Sequence, residues 1–364
     1  MLKKKILLAI HSLQAGGMER VMAELTNCFS ENSKIEVHLI IYGSKREVFY
    51  PIAKNVIIHK PIFEFNNERR LISTLKTLFF LRKKFKKINP DIILSFGEFW
   101  NNLVLIATIG LKYPVYIADR SEPLMNLGAF HNNLRKLLYN NATGLILQTQ
   151  QAKKIYQKQF KKLNITVIGN PIRDIKNNNN IQRKNIILMV GRLVKTKHQD
   201  RLIKIFAKIN IPDWKLVLVG YDHIKQKNSI SLAKLIRELQ LENRVILAGK
   251  QMNVEDYYLK SKIFAFTSDS EGFPNVIGEA MSAGLPVVAY DCIAGPSEII
   301  NDSEDGFLIP LFDDKFFQLK LNELMENDNL RQQMGENARN NIKKFNKDLI
   351  AEKFLEFILS HKKH

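Results

Sequence analysis

Two carboxylates, Glu271 and Glu279, stand eight residues apart in TSDSEGFPNVIGEAMSAGLPVVAYD, Thr267 to Asp291. The apolar run before them reads as a strand and Pro274 or Asn275 as the start of a helix, so Glu271 falls in the connecting loop and Glu279 one turn inside the helix. Carboxylates placed this way can grip different parts of one extended ligand. The amides of Asn275, Val276 and Ile277, at the helix start, are expected to be free to hold its phosphates. As bare chemistry, a loop Glu and a helical Glu can equally be surface acids.

Two further loops carry the same kind of chemistry. GRLVKTKHQD places Arg192 and Lys197 before a helix, where a fork of N–H donors and a point charge could neutralise a diphosphate; a solvated basic loop is the alternative. HSLQAGGMER places Gly16 and Gly17 after the first apolar run, where backbone without Cβ lets N–H groups approach a phosphate. This pair does not form the G-x-G-x-x-G fingerprint of dinucleotide sites. His198 reads as a helix-entry residue rather than a catalyst, and His11, His131 and His198 are too scattered for a metal site or a triad. Cys28 and Cys292 stand far apart, in no disulfide framework and no metal-ligand spacing, which fits a reducing cytoplasm.

The elements that must position these loops follow from the apolar pattern. Short Ile-, Val- and Leu-rich runs alternate with helical patterns, the signature of parallel sheets built from βαβ units. Strands are expected at Lys5–Ile10, Glu36–Tyr42, Val56–His59, Ile92–Phe96, Val115–Ala118, Leu145–Gln148 and Thr166–Ile168. The stretch Gly169–Lys184, with a proline and a four-Asn run, breaks the pattern. The alternation restarts at Ile186–Val190, Leu216–Val219, Val245–Leu247, Ile263–Thr267 and Val287–Tyr290, and from about residue 314 three helical patterns follow. The reading is α/β, with two Rossmann-like domains in tandem: residues 1–170, a linker at 171–184, residues 185–345, and a C-terminal helix within 346–364 that packs back on the first domain.

Composition excludes several classes. The 364 residues are 45% hydrophobic and 25% charged, which rules out a disordered or collagen-like chain. No apolar run approaches the roughly 18 residues of a membrane span. The start, MLKKKILLAIHSL, imitates a signal peptide, but Ile6–Ile10 is short for one and His11 interrupts it, so a first strand is expected. The net charge of +19 is uneven: residues 1–180 carry 28 Lys+Arg against 12 Asp+Glu, or +16. A basic half can meet nucleic acid, anionic lipid or a phosphorylated substrate. Its densest segment, Arg69 to Lys87, reads as a basic amphipathic helix with Leu71, Leu75, Leu78, Phe79, Leu81, Phe85 and Ile88 near helical period. Most of that stripe is expected to pack on its own sheet, leaving the rim and the Lys83–Lys87 end for an anionic membrane.

Taken together, GGMER, NPI at the linker, GRL...K, EGFPNVIGE followed by AMSAGLPVVA, GPSEII and DGFLIP run in one order along nearly the whole chain. This set resembles the retaining glycosyltransferases of family 4 and their E-x7-E region. The resemblance implies the GT-B fold, two Rossmann-like domains with parallel sheets facing across a cleft, the first binding acceptor and the second a nucleotide-sugar. It implies that Glu279 binds the ribose, Arg192 and Lys197 the donor diphosphate, and Glu271 the sugar hydroxyls near the anomeric carbon. Backbone of Gly272, Phe273, Pro274 and Asn275 would complete the sugar pocket, Gly249 would lie near the base, and Gly16 and Gly17 would approach the diphosphate from the other domain. Many members carry a histidine where this chain reads ADRSEP. Arg120 stands at that place; it cannot be a general base but could hold a phosphate, and Asp119 and Glu122 are candidate bases.

The expected activity is transfer, with retention, of a UDP-linked hexose or N-acetylhexosamine to a growing polysaccharide or lipid-linked oligosaccharide of a surface glycan. No Asp-x-Asp motif is present, so no metal and no cofactor is implied. The expected location is cytoplasmic, at the inner face of the membrane, with no nucleic-acid partner. Alternatives are another GT-B enzyme such as a nucleotide-sugar epimerase, or a non-catalytic basic protein binding membrane or nucleic acid.

Overall fold

The computed structural model describes residues 3–14, 16–43, 47–222 and 226–360. It divides into two units, one of Met1–Pro171 together with Lys347–His364, the other of Ile172–Asn346. The first is built on seven strands, β1 (Lys4–Ile10), β2 (Ile35–Ile41), β3 (Ile57–His59), β4 (Ile92–Phe96), β5 (Val115–Ala118), β6 (Gly144–Leu147) and β7 (Ile165–Val167). They form one sheet in the order β3-β2-β1-β4-β5-β6-β7, with every pairing parallel. Helices cover both faces of such a sheet, so its strands are apolar on both sides. Ile6 to Ile10 and Ile92 to Leu94 are accordingly buried.

The second unit holds six strands, β8 (Ile186–Val190), β9 (Lys215–Val219), β10 (Val245–Gly249), β11 (Ile263–Phe266), β12 (Val287–Tyr290) and β13 (Gly306–Ile309). Their order is β10-β9-β8-β11-β12-β13, again all parallel. Both sheets have the doubly wound order of Rossmann-like domains. Each therefore has one switch point, between β1 and β4 or between β8 and β11, where successive connections diverge and leave a crevice beyond the carboxyl ends. The strand β13 is an addition to the expected set: four residues, GFLI, give too short a run to register as a pattern. Within the first unit the helix Lys347–Leu359 places Phe354 against Phe96 and Phe357 against Tyr116.

The basic helix spans Arg70–Ile88, and its stripe packs inward only in part, with Leu78 against the core beside Leu81, Phe85 and Ile88. Leu81, Phe85 and Ile88 are buried, but further up the same face the buried residues are Ser73 and Thr77. Leu71, Ile72, Leu75 and Phe79 instead point to solvent, with Leu71 76% and Phe79 73% exposed. The buried hydroxyls are satisfied locally: Ser73 Oγ donates to the Asn66 carbonyl at 3.1 Å and Thr77 Oγ1 to the Ser73 carbonyl at 2.8 Å. Polar groups that keep their hydrogen bonds can be buried at small cost. Among the described residues no helix is long and apolar enough to cross a membrane.

Candidate active site

The switch point of the second unit brings the loops after β8 and β11 together. After β8 come Gly191, Arg192 and a tight turn at Lys195–Lys197. Gly220 leaves no room for a side chain, since a Cβ there would lie 1.8 Å from the Gly191 carbonyl oxygen. The loop after β11 is bonded to that turn: Thr267 Oγ1 donates to the Lys197 carbonyl at 2.9 Å, and the Asp269 amide to the Thr196 carbonyl at 3.1 Å. The result is a direct ion pair between the Lys197 ammonium and Glu271 Oε1, its side chains 18% and 14% exposed. Partial burial makes such a pair less screened than a surface one.

Arg192 is exposed at the end of β8, its carbonyl held by Gln199 Nε2 at 2.9 Å. Among the described residues no carboxylate lies within ion-pair distance of its guanidinium, whose charge is thus available to an anion. The path of the Glu271 loop depends on Gly295, at φ +143°, where a Cβ would stand 2.6 Å from Pro274 Cδ. Cys292 lies near Glu271; burial, then the Glu271 charge, pushes its thiol up to about 12, so it stays protonated at neutral pH.

The helix Asn275–Ser282 begins after Pro274 with no side-chain cap. One expectation is corrected here: the Asn275 amide donates to the Phe273 carbonyl at 3.0 Å and the Ile277 amide to the Pro274 carbonyl at 2.9 Å. Only Val276, of the three amides expected to be free, makes no such local bond. Glu279 is 9% exposed and accepts at Oε2 from the Tyr258 hydroxyl at 2.9 Å. It lines a small cavity of about 90 Å³ with Tyr258, Arg173, Met252, Asn253 and Val254. Gly249 ends β10 at φ +67°, outside that lining. Gly272 is half-buried, while Phe273 and Pro274 are buried, with Phe273 edge-on to Phe345.

In the first unit the Gly16 backbone is bonded to a side chain. The Gly16 amide donates to the Tyr50 hydroxyl at 3.1 Å, and that hydroxyl donates back to the Gly16 carbonyl at 3.0 Å. Gly17 opens the helix Gly17–Glu31, and the Glu19 carboxylate folds over its first turn to within 2.2 Å of where a Gly16 Cβ would stand. His11 stacks on Trp100 at 3.8 Å, and burial lowers it to about 4, keeping it neutral.

Arg120 departs furthest from its expectation. It is buried, its guanidinium 4.3 Å over the Phe96 ring and 5.3 Å over Phe354, with Nη1 donating to Asn170 Oδ1 at 3.0 Å. Its Nε and Nη2 are buried without a hydrogen-bond partner among the described residues. Burial lowers it to about 9, and the nearby Glu98 and Asp119 oppose that shift. Asp119 is likewise no exposed base: it accepts from Asn101 Nδ2, Tyr139 and Tyr156 at 2.9, 2.7 and 2.5 Å. Burial, then Glu98, raises it to about 7. Glu98 and Tyr258 carry no signal in the sequence, because each acts through a partner distant along the chain; Asp269 and Gly295 lie inside quoted motifs that do not show what they hold.

Known proteins resemble the chain along nearly its whole length. Residues 15–174 match the family described as Glycosyltransferase Family 4, and residues 170–341 match Glycosyl transferases group 1. The chain is 31% identical, over 98% of its length and 100% of the relative's, to the N-acetylgalactosamine-N,N'-diacetylbacillosaminyl-diphospho-undecaprenol 4-alpha-N-acetylgalactosaminyltransferase of Campylobacter jejuni. It is 28% identical, over 97% and 99%, to the amylovoran biosynthesis glycosyltransferase AmsD of Erwinia amylovora. The crystal structure of Anabaena Alr3699/HepE in complex with UDP shares the fold, with a TM-score of 0.78, 20% identity, and coverage of 98% and 100%. Two parallel-sheet Rossmann-like units and these matches define a GT-B glycosyltransferase. The chain belongs to the family 4 glycosyltransferases, with a second half of the group 1 type.

Proposed function

We propose that the chain transfers a hexose or N-acetylhexosamine from UDP, with retention, to a growing polysaccharide or lipid-linked oligosaccharide in surface glycan biosynthesis. The observation that carries this is the Lys197–Glu271 pair at the switch point of the second unit. It sets a cation for the leaving diphosphate beside a carboxylate for sugar hydroxyls. Arg192 supplies a second cation, Glu279 holds the ribose from its place on Tyr258, and Glu271 grips the sugar. The acceptor oxygen forms a bond to the anomeric carbon on the face from which the diphosphate oxygen leaves, and the acceptor proton passes to that oxygen. Charge grows on the diphosphate as the old bond breaks, so the cations act most in the transition state. The Campylobacter relative, named for an undecaprenol-linked substrate, and AmsD, named for amylovoran biosynthesis, support the acceptor class; the UDP complex of Alr3699/HepE supports the nucleotide.

Slow hydrolysis and binding across UDP-, GDP- and ADP-sugars test the donor. Arg192→Ala and Lys197→Ala are each expected to lower turnover about 10²-fold or more; full activity in both sinks the assignment. For the acceptor side we propose peripheral attachment to an anionic membrane, at its cytoplasmic face. The exposed apolar residues of the helix Arg70–Ile88, followed by Lys83, Lys86 and Lys87 near its end, support that reading.

A further inference from the structure

His198 follows Lys197 directly and carries a left-handed backbone, φ +49° and ψ 42°, between the turn Lys195–Lys197 and the helix Gln199–Ala207. A Cβ makes that conformation costly, and glycine would adopt it freely. What histidine supplies there is a side chain. Its Nε2 lies 2.8 Å from Asp269 Oδ2, and its ring packs edge-on against Phe312 with 5.2 Å between centroids. Asp269 belongs to the opposing loop, two residues before Glu271. Its other oxygen, Oδ1, is buried with no hydrogen-bond partner among the described residues, so the carboxylate keeps its place at a cost that the imidazole bond offsets.

The two residues flanking Lys197 are therefore both tied to the loop that carries Glu271. Thr196 is tied through its carbonyl to the Asp269 amide, and His198 through its ring to the Asp269 carboxylate. A lysine has four rotatable bonds, and a fixed backbone on either side restricts where its ammonium can meet Glu271. We propose that His198 and Asp269 are a positioning pair that holds Lys197 in register with Glu271 and with the donor diphosphate, touching no donor atom themselves. This rests on the reading of Lys197 as a diphosphate-binding cation. Because charge on the diphosphate grows in the transition state, a displaced ammonium lowers kcat more than it raises the donor KM.

The test uses the full chain, with UDP binding by calorimetry and slow hydrolysis of UDP-GlcNAc and UDP-GalNAc. Asp269→Ala removes the acceptor, His198→Asn tolerates the left-handed backbone but is too short to reach, and Asp269→Asn keeps an acceptor oxygen. The first two are expected to lower hydrolysis about tenfold with the donor KM changed less than about threefold, and Asp269→Asn to restore most of the rate. In a Lys197→Ala background, Asp269→Ala is expected to change neither UDP affinity nor rate any further, because the pair acts through that lysine. If Lys197→Ala abolishes hydrolysis while Asp269→Ala and His198→Asn run at full rate, the donor site stands and the positioning role is overturned. The role is overturned equally if Asp269→Ala costs as much without Lys197 as with it. Full rate and UDP affinity in Lys197→Ala overturn the donor-site reading itself, and the proposal with it.

Discussion

Replacing Leu71, Leu75 and Phe79 together by Ser strips the outward face of the helix Arg70–Ile88 without touching its buried residues Leu81, Phe85 and Ile88. The three are 76%, 48% and 73% exposed, about as much apolar side chain as two complete residues. Moving that much from water into a bilayer surface is worth about 3–6 kcal/mol, at about 1.5–3 kcal/mol per full side chain. A lost contribution of this size weakens vesicle binding about 10²-fold or more. Cations add on the order of 1 kcal/mol each near an anionic surface, in a manner that fades as salt shortens the Debye length. Changing Lys83, Lys84, Lys86 and Lys87 to Gln is therefore expected to remove the salt-sensitive part alone. Arg82 is kept in that variant because its Nη1 donates to the carbonyls of Ala107 and Ile109 at 3.1 and 2.7 Å. Flotation with anionic and neutral vesicles across a salt series separates the two contributions, with single-stranded and duplex DNA in parallel. Unchanged flotation of the Ser variant, or binding that follows DNA rather than lipid, refutes the reasoning.

Three further outcomes are expected. Glu271→Gln should slow transfer far more than it weakens UDP binding, since the role proposed for the carboxylate is to grip the sugar; equal loss of UDP affinity in titration calorimetry contradicts this role. Tyr258→Phe should weaken UDP about threefold to tenfold by releasing Glu279, the span of one hydrogen bond worth about 0.5–1.5 kcal/mol, and an unchanged Kd shows that the tyrosine does not hold the ribose ligand. Asp119, raised in the folded chain from 3.8 to about 7, binds its proton more tightly folded than unfolded, so its contribution is present at low pH and is lost as pH rises from about 4 through 7. Melting of Asp119→Asn should accordingly depend less on pH across that window, and parallel profiles for the two proteins would show that the carboxyl does not titrate there.

The two sheets are legible in the sequence because a parallel strand buried on both faces shows as an unbroken apolar run, as at Ile6–Ile10 and Ile263–Phe266. Lys197 and Glu271 are legible for a related reason: a loop directly after such a run is where a parallel sheet presents its ligands. The basic helix is legible only in part because Leu71, Leu75 and Phe79 repeat at the same period as Leu81 and Phe85, and periodicity does not say which set faces inward. Local hydroxyl bonds at Ser73 and Thr77 decide that. Arg120 escapes a sequence reading because its burial depends on Phe354, on a helix more than two hundred residues further on. Tyr258 gives no signal, since only the fold sets its hydroxyl beside Glu279.

The chain's path through its two units has a consequence for synthesis. The unit Ile172–Asn346 is continuous and is complete once those residues have left the ribosome, whereas the unit begun by Met1 also needs Lys347–His364. Ile350, Ala351, Phe354 and Ile358 are buried, and Phe357 packs so closely that a Cβ on Gly144 would stand 2.8 Å from its ring. Until that helix emerges, Phe96, Tyr116 and the Arg120 guanidinium lack their cover, and the nascent first unit exposes core to whatever chaperones are present. The half begun first is thus finished last, and a chain cut after Asn346 would keep every residue of the second unit while leaving the first one open.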